Sequence, residues 1–285
     1  MRALRPLIGA LVILASLAAP VAAAPGASGD HARLYYLSLG DSLAAGVQPI
    51  GDPADQFRSD DGYADQLYGA VLDDLPTLEH VKLGCPGEST MTMIHGGICS
   101  YPHGSQLDEA VSFLHAHREF VAFVTIDLGA NDFACNDLPC FPAGVASIQQ
   151  NLPGILAALR AAAGPDVPIV GMTLYDPLLA AWFLGPQGEA FAHLSVEAGF
   201  IPLNGLLTGI FQASGADVAD VATAFSTTDF DTLVPLPGVG SVPLNVVRIC
   251  QWTWACAPAP FGPDNHANAA GYAVMAATFA ATLGY

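Results

Sequence analysis

Apolar positions along the chain fall into short branched or aromatic runs, separated by longer stretches with helical spacing. Leu34 to Leu39 (LYYLSL) stops at Gly40, which predicts a buried strand closed by a tight turn. Val81 to Leu83, closed by Gly84, predicts a second strand. Phe120 to Leu128 (FVAFVTIDL), bounded by Gly129, is the strongest strand signal in the chain, and Val167 to Leu174 predicts a fourth strand. Helices are predicted over Gln106 to His117 and over Gly144 to Ala163, where Ile148, Leu152, Ile155, Leu156 and Leu159 form an apolar face. Two more follow, over Gly188 to Gln212 and, behind the N-cap Asn268, over Ala269 to Leu283. This alternation predicts an α/β domain whose parallel sheet is covered by helices on both faces. Such sheets hold their ligands at the carboxyl ends of the strands. Two stretches show no regular pattern, the Asp-rich Val47 to Gly62 and the Pro-rich Ser226 to Pro263 with Trp252 and Trp254. They are predicted to be ordered loops that shape the mouth of a site.

The first 24 residues change the picture of the amino end. Arg2 and Arg5 precede an apolar run from Leu7 to Ala19, and Ala22-x-Ala24 offers a small-residue cleavage site. That pattern predicts a secretory signal peptide cut after Ala24, followed by a short joint over 25–33 and one domain over 34–285. No later segment has the uninterrupted apolar length that spanning requires, so a soluble, unanchored monomer is expected. With 52% hydrophobic and only 12% charged residues, the chain can fill a large core and has no compositional case for disorder. Cleavage would remove two of the 8 basic and none of the 26 acidic residues, leaving a net charge of −20. Nucleic acid is excluded as a partner on this ground, and anionic membrane surfaces would be repelled, so a lipid substrate would have to be met as a neutral ester.

Six cysteines form three neighbouring pairs, Cys85/Cys99, Cys135/Cys140 and Cys250/Cys256. Three local disulfides are expected in an exported chain, although six cysteines permit about fifteen pairings. A zinc site is disfavoured because no C-x-x-C occurs. His115 and His117 stand two apart on a predicted helix, face different ways and make a poor metal pair.

Four segments carry candidate chemistry. Gly40-Asp41-Ser42-Leu43 follows the first strand and places a hydroxyl at the carboxyl edge of the sheet; its bland counterpart is a glycine turn with a helix-capping serine. The G-x-S-x-G elbow occurs nowhere, so the α/β-hydrolase arrangement has no candidate nucleophile. Gly129-Ala130-Asn131-Asp132 ends the strongest strand, and an amide aimed at a developing oxyanion suits acyl transfer, where one donor contributes about 3 kcal/mol. Asn131 also fits an ordinary turn. Gly87, in LGCPGEST, can expose its backbone N–H as a second donor, or can simply belong to a Gly/Pro loop. His266, in PDNHAN before the last helix, sits on a loop from which an imidazole can reach a serine hydroxyl as general base.

Taken in order, GDSL, the glycine of LGCPGEST, GAND and DNHANAAGY resemble the sequence blocks of SGNH hydrolases and span almost the whole chain after the leader. The resemblance implies a three-layer α/β/α, flavodoxin-like fold and a cofactor-independent serine esterase or lipase. Ser42 would be the nucleophile and His266 the base, and the Ser42 N–H, Gly87 N–H and Asn131 amide would form the oxyanion hole. One departure concerns the acid: the family places it three residues before the histidine, whereas Asp264 stands two before His266. Asp264 is assigned here, with a backbone carbonyl from Trp252 to Pro260 as its rival. The cysteine layout and the tryptophan-bearing loop further resemble secreted actinobacterial esterases and lipases. A carbohydrate O-acetyl esterase, a phospholipase and a non-catalytic secreted binding module are the competing readings.

Overall fold

The computed structural model describes residues 33–50, 52–133 and 140–285. Its strands and helices run β1 (Leu34–Gly40), the hairpin β2 (Val47–Ile50) and β3 (Asp52–Arg58), α1 (Tyr63–Val71), β4 (Leu78–Lys82), α2 (Thr90–His95), α3 (Gln106–His117), β5 (Val121–Asp127) and α4 (Cys140–Ala163). Then come β6 (Ile169–Met172), α5 (Pro186–Leu194), α6 (Ile201–Ala213), β7 (Asp217–Ala219) and α7 (Val221–Ala224). A second hairpin, β8 (Leu233–Leu236) and β9 (Gly240–Pro243), leads into α8 (Leu244–Trp252), and α9 (Ala269–Leu283) ends the chain. Five strands form one parallel sheet in the order β4-β1-β5-β6-β7. Its two central strands, β1 and β5, are the two runs with the strongest apolar signal, and their last five residues are all buried. Burial on both faces is what continuous apolar strands in a parallel sheet are suited to.

Helices cover both faces. On one side α1 packs against α9, with Tyr63 and Phe279 stacked 4.8 Å apart; on the other α4 packs against α3 and α6. Local chemistry sets the helix starts. The Ser105 hydroxyl accepts the Asp108 N–H at α3, Ser89 and Thr92 form a capping box at α2, and Asn268 accepts the Ala270 and Gly271 N–H groups at α9. Tyr272, Met275 and Phe279 of α9 are fully buried. Each such side chain contributes about 1.5–3 kcal/mol of apolar transfer, so the last helix belongs to the core.

Several elements depart from the sequence expectation. Val47 to Gly62 is not irregular, since β2 and β3 pair antiparallel there, and Ser226 to Pro263 contains the β8–β9 hairpin and α8. Proline and charge had hidden these short pairings, in which too few residues alternate for a period to emerge. The helix predicted over Gly188 to Gln212 is divided into α5, a π-helical turn over Ser195–Phe200, and α6. Pro202 has no N–H to give to the preceding turn, and a widened turn accommodates that loss. Pro186 to Ala213 has the length and apolar composition of a membrane span; Leu203, Leu207 and Phe211 are buried in the core, while most of its apolar window, including Phe191, Leu194 and Ile201, is not. Cys85–Cys99 and Cys250–Cys256 are joined as expected, with Cα separations of 6.0 and 5.0 Å. Cys135, and with it the expected Cys135/Cys140 pairing, and residues 1–32 lie outside the described residues.

Gly171 on β6 shows how tightly the sheet meets its helices, because a Cβ there would stand 2.3 Å from the fully buried Phe211 ring. Gly171→Ala is expected to destabilise the protein by about 1–3 kcal/mol through overpacking. Urea unfolding would read this as a lowered midpoint; an unchanged midpoint would contradict the packing described.

Candidate active site

Strand β1 delivers Gly40-Asp41-Ser42 to the carboxyl edge, where β1 and β5 meet and the strand order reverses. Gly40 has φ 127°, and a Cβ would lie 2.0 Å from the Asp127 carbonyl, so only glycine fits between the two strand ends. The buried Gln106 side chain clamps this residue. Its Oε1 accepts the Gly40 N–H (2.7 Å), and its Nε2 donates to the Gly40 carbonyl (2.9 Å) and to Glu88 Oε2 (2.9 Å). Beyond the clamp, Asp41 Oδ1 accepts the Leu43 N–H at 2.9 Å, and the chain bends so that Ser42 faces the edge.

The imidazole arrives from the other end of the chain. His266 Nε2 lies 2.8 Å from Ser42 Oγ, and its Nδ1 lies 2.7 Å from Asp264 Oδ1, an oxygen that also accepts the His266 N–H at 2.9 Å. Backbone hydrogen bonds hold this loop. Trp254 N–H donates to the His266 carbonyl (3.0 Å), Asp264 N–H to the Trp254 carbonyl (3.1 Å) and Asn268 N–H to the Trp252 carbonyl (3.0 Å). The Cys250–Cys256 disulfide brackets the two tryptophans, and the Tyr175 hydroxyl donates to the Asn265 carbonyl at 2.8 Å. The tryptophan segment therefore positions the loop, and the oxygen facing Nδ1 is a carboxylate two residues before the histidine.

Three candidate donors belong to the same turn region, where the Cys85 N–H meets the Gly40 carbonyl (3.0 Å). The Ser42 and Gly87 N–H groups have no acceptor among the described residues, and Gly87 takes φ 84° on an exposed turn pinned by Cys85–Cys99. The Asn131 amide is engaged, donating to Asp41 Oδ2 (3.1 Å) and to the Glu88 carbonyl (3.0 Å). Its neighbour Asp132 fastens the turn to α2 and α4 by accepting from the Thr90 N–H (3.0 Å) and the Ser147 hydroxyl (2.6 Å). The five site residues named from sequence, Ser42, His266, Asp264, Gly87 and Asn131, thus share one edge with the turn glycine Gly40.

Sequence reasoning missed what lies beneath them. Asp127, Tyr63 and Gln106 support the nucleophile turn and carry no motif, and Glu88 stands inside LGCPGEST without having been singled out. One signal was available for Asp127, an acid at the end of the apolar run FVAFVTIDL, where a buried charge is rare. Burial raises the Asp41, Asp127 and Glu88 carboxyls above the ordinary carboxylate range, and the Asp41 charge pushes Asp127 further up. Among the described residues no group of three or more His, Cys, Asp or Glu side chains could hold a metal ion.

Comparison with known proteins bears on the family and the fold. The model of the family described as GDSL-like lipase/acylhydrolase matches residues 38–274. An extracellular lipase from Streptomyces rimosus is similar in structure, at 18% identity and TM-score 0.54, covering 87% of this chain and 99% of its own. So is an acetylxylan esterase from Geobacillus stearothermophilus, at 16% identity and TM-score 0.52, covering 88% of this chain and 94% of its own. These likenesses concern the fold. A search of curated proteins by sequence gave no match.

Gln106→Leu would strand the buried Gly40 N–H, while the Gly40 carbonyl keeps the Cys85 N–H at 3.0 Å. A loss of about 1–3 kcal/mol in urea unfolding is expected. An unaltered midpoint would show that the clamp does not hold the turn.

Proposed function

The chain belongs to the GDSL-like lipase/acylhydrolase family and is a carboxylic ester hydrolase, and we propose that it works through an acyl-enzyme on Ser42 with His266 as general base and Asp264 as orienting acid. The observation that carries this reading is the hydrogen-bonded row Asp264–His266–Ser42, with both links under 3 Å. Nε2 takes the Ser42 proton as Oγ attacks the ester carbonyl, and Asp264 holds the Nδ1 proton and stabilises the imidazolium. The tetrahedral oxyanion is held by the Ser42 and Gly87 N–H groups, whose lack of acceptors among the described residues supports this role. The Asn131 amide joins them by exchanging its Glu88 carbonyl acceptor for the oxyanion. Collapse expels the alcohol, which receives the proton from Nε2, and water repeats the sequence on the acyl-enzyme. These steps draw on the chain's own groups.

For the substrate we favour neutral acyl esters. Leu178, Phe183, Leu184, Phe191, Leu194 and Ile201 are exposed within one stretch that follows β6 and contains no lysine or arginine from Pro177 to Ala213. An apolar surface whose only carboxylates are Glu189 and Glu197, on a strongly acidic protein, suits acyl chains better than sugars or anionic lipid. Export, with removal of residues 1–24, is supported by the two disulfides and by the likeness to an extracellular lipase.

Ser42→Ala and His266→Ala are each expected to lower kcat at least about 10³-fold, and Asp264→Ala about 10²–10⁴-fold, with the fold retained by circular dichroism. Wild-type activity surviving in Ser42→Ala would end the reading. A panel of nitrophenyl esters beside acetylated xylan tests the substrate: kcat/KM is expected to rise beyond acetate, and a preference for the glycan would favour an O-acetyl esterase.

A further inference from the structure

Two carboxyl groups stand side by side directly below the nucleophile. Asp41 and Asp127 are 2% and 1% exposed and lie at the ends of adjacent strands, and the Asp41 N–H donates to Asp127 Oδ2 at 3.3 Å, which sets the two carboxyl groups side by side. A carboxyl-to-carboxyl hydrogen bond needs a proton between the oxygens, because two ionised groups would offer only acceptors. The remaining partners divide unequally. Asp41 receives the Leu43 N–H (2.9 Å) and the Asn131 amide (3.1 Å), whereas Asp127 receives the Tyr63 hydroxyl at 2.7 Å and only the more distant Asp41 N–H at 3.3 Å. Donors favour the ionised form, so the charge settles on Asp41 and the proton on Asp127.

We propose that Asp127, kept protonated, is a positioning residue for the ester hydrolysis: it donates to Asp41 and so fixes the single carboxylate that aligns Ser42 and Asn131. The inference rests on the reading of Ser42 as nucleophile. Other titratable groups around the pair are Tyr36 on β1, Tyr63 on α1, Tyr175 after β6, Tyr272 on α9, Glu88 and His266. Burial raises all four tyrosines, which stay neutral across the working range, and burial and the Asp41 charge together hold the Asp127 carboxyl well above its ordinary value. The sign follows. The protonated form persists below that raised value and is lost as pH rises through it, whereupon two adjacent carboxylates repel and the turn loses its alignment.

The test compares kcat and KM against pH for wild type, Asp127→Ala and Asp127→Asn on a soluble short-chain nitrophenyl ester. Asparagine keeps the carbonyl for Tyr63 and an N–H for the Asp41 carboxylate and gives up only the long acceptor contact to the Asp41 N–H (3.3 Å), so it stands in for the protonated acid. Asp127→Ala is expected to lower kcat at least about 10-fold with KM within about threefold of wild type. Asp127→Asn should restore kcat to within about threefold and abolish the alkaline decline of the wild type. An Asp127→Asn enzyme as impaired as Asp127→Ala, with a wild-type profile flat on the alkaline side, would overturn the proposal. Should Asp127→Asn fail to fold, infrared spectra of wild type carrying carboxyl-labelled aspartate decide: a protonated aspartic acid band at pH 8 is expected, and its absence overturns the proposal. Labelling of wild type by a fluorophosphonate keeps the two readings apart. Failure to modify Ser42 would end the nucleophile assignment, whereas modified wild type with an impaired Asp127→Asn would end only this one.

Discussion

The hydrogen bond between Ser42 and His266 joins residues 224 positions apart, and the chemistry of the site depends on the backbone that makes this closure rigid. Two pairings achieve it. The in-register contact of β1 with β5 seats Gly40 against Asp127 and points Ser42 over the edge. The short antiparallel contact of Thr253 with Ala267, with its flanking hydrogen bonds, carries Asp264 and His266 to the same place. A geometry set by main-chain hydrogen bonds holds reacting atoms within the few tenths of an ångström that proton transfer requires.

A second array of the same residue types shows why closure alone does not make a site. Ser38 Oγ lies 2.8 Å from His80 Nε2, and His80 Nδ1 lies 3.8 Å from Asp65 Oδ1. Ser38 is fully buried, burial pushes His80 down to about 4, and Asp65 is already paired with Lys82 at 2.6 Å. An imidazole held neutral between Tyr36 and Tyr68 packs the sheet to its neighbouring helix. What separates Ser42 is its half-buried place at the strand ends, beside backbone donors that no described residue satisfies.

Legibility in the sequence followed the same division. β1 and β5 were plain because a strand buried on both faces is a continuous apolar run, and α3 and α9 were plain because their caps are local chemistry. The residues at strand ends were equally visible, since glycine turns leave a signature. Hidden were the pairings of few residues, such as β7 and the β8–β9 hairpin, and every support that acts across the fold. Gln106 reads as an ordinary helix residue until Gly40 is placed beside it, and Tyr63 as a core aromatic until its hydroxyl meets Asp127. The contacts that hold the site are long-range, and neither composition nor period encodes them.

The most direct measurement is a crystal structure of the enzyme after reaction with a phosphonate ester inhibitor. The account requires phosphorus bonded to Ser42 Oγ, His266 Nε2 facing the leaving-group side, and the phosphonyl oxygen within hydrogen-bonding distance of the Ser42 N–H, the Gly87 N–H and the Asn131 amide. An adduct on another residue, or a phosphonyl oxygen turned away from all three donors, would contradict it.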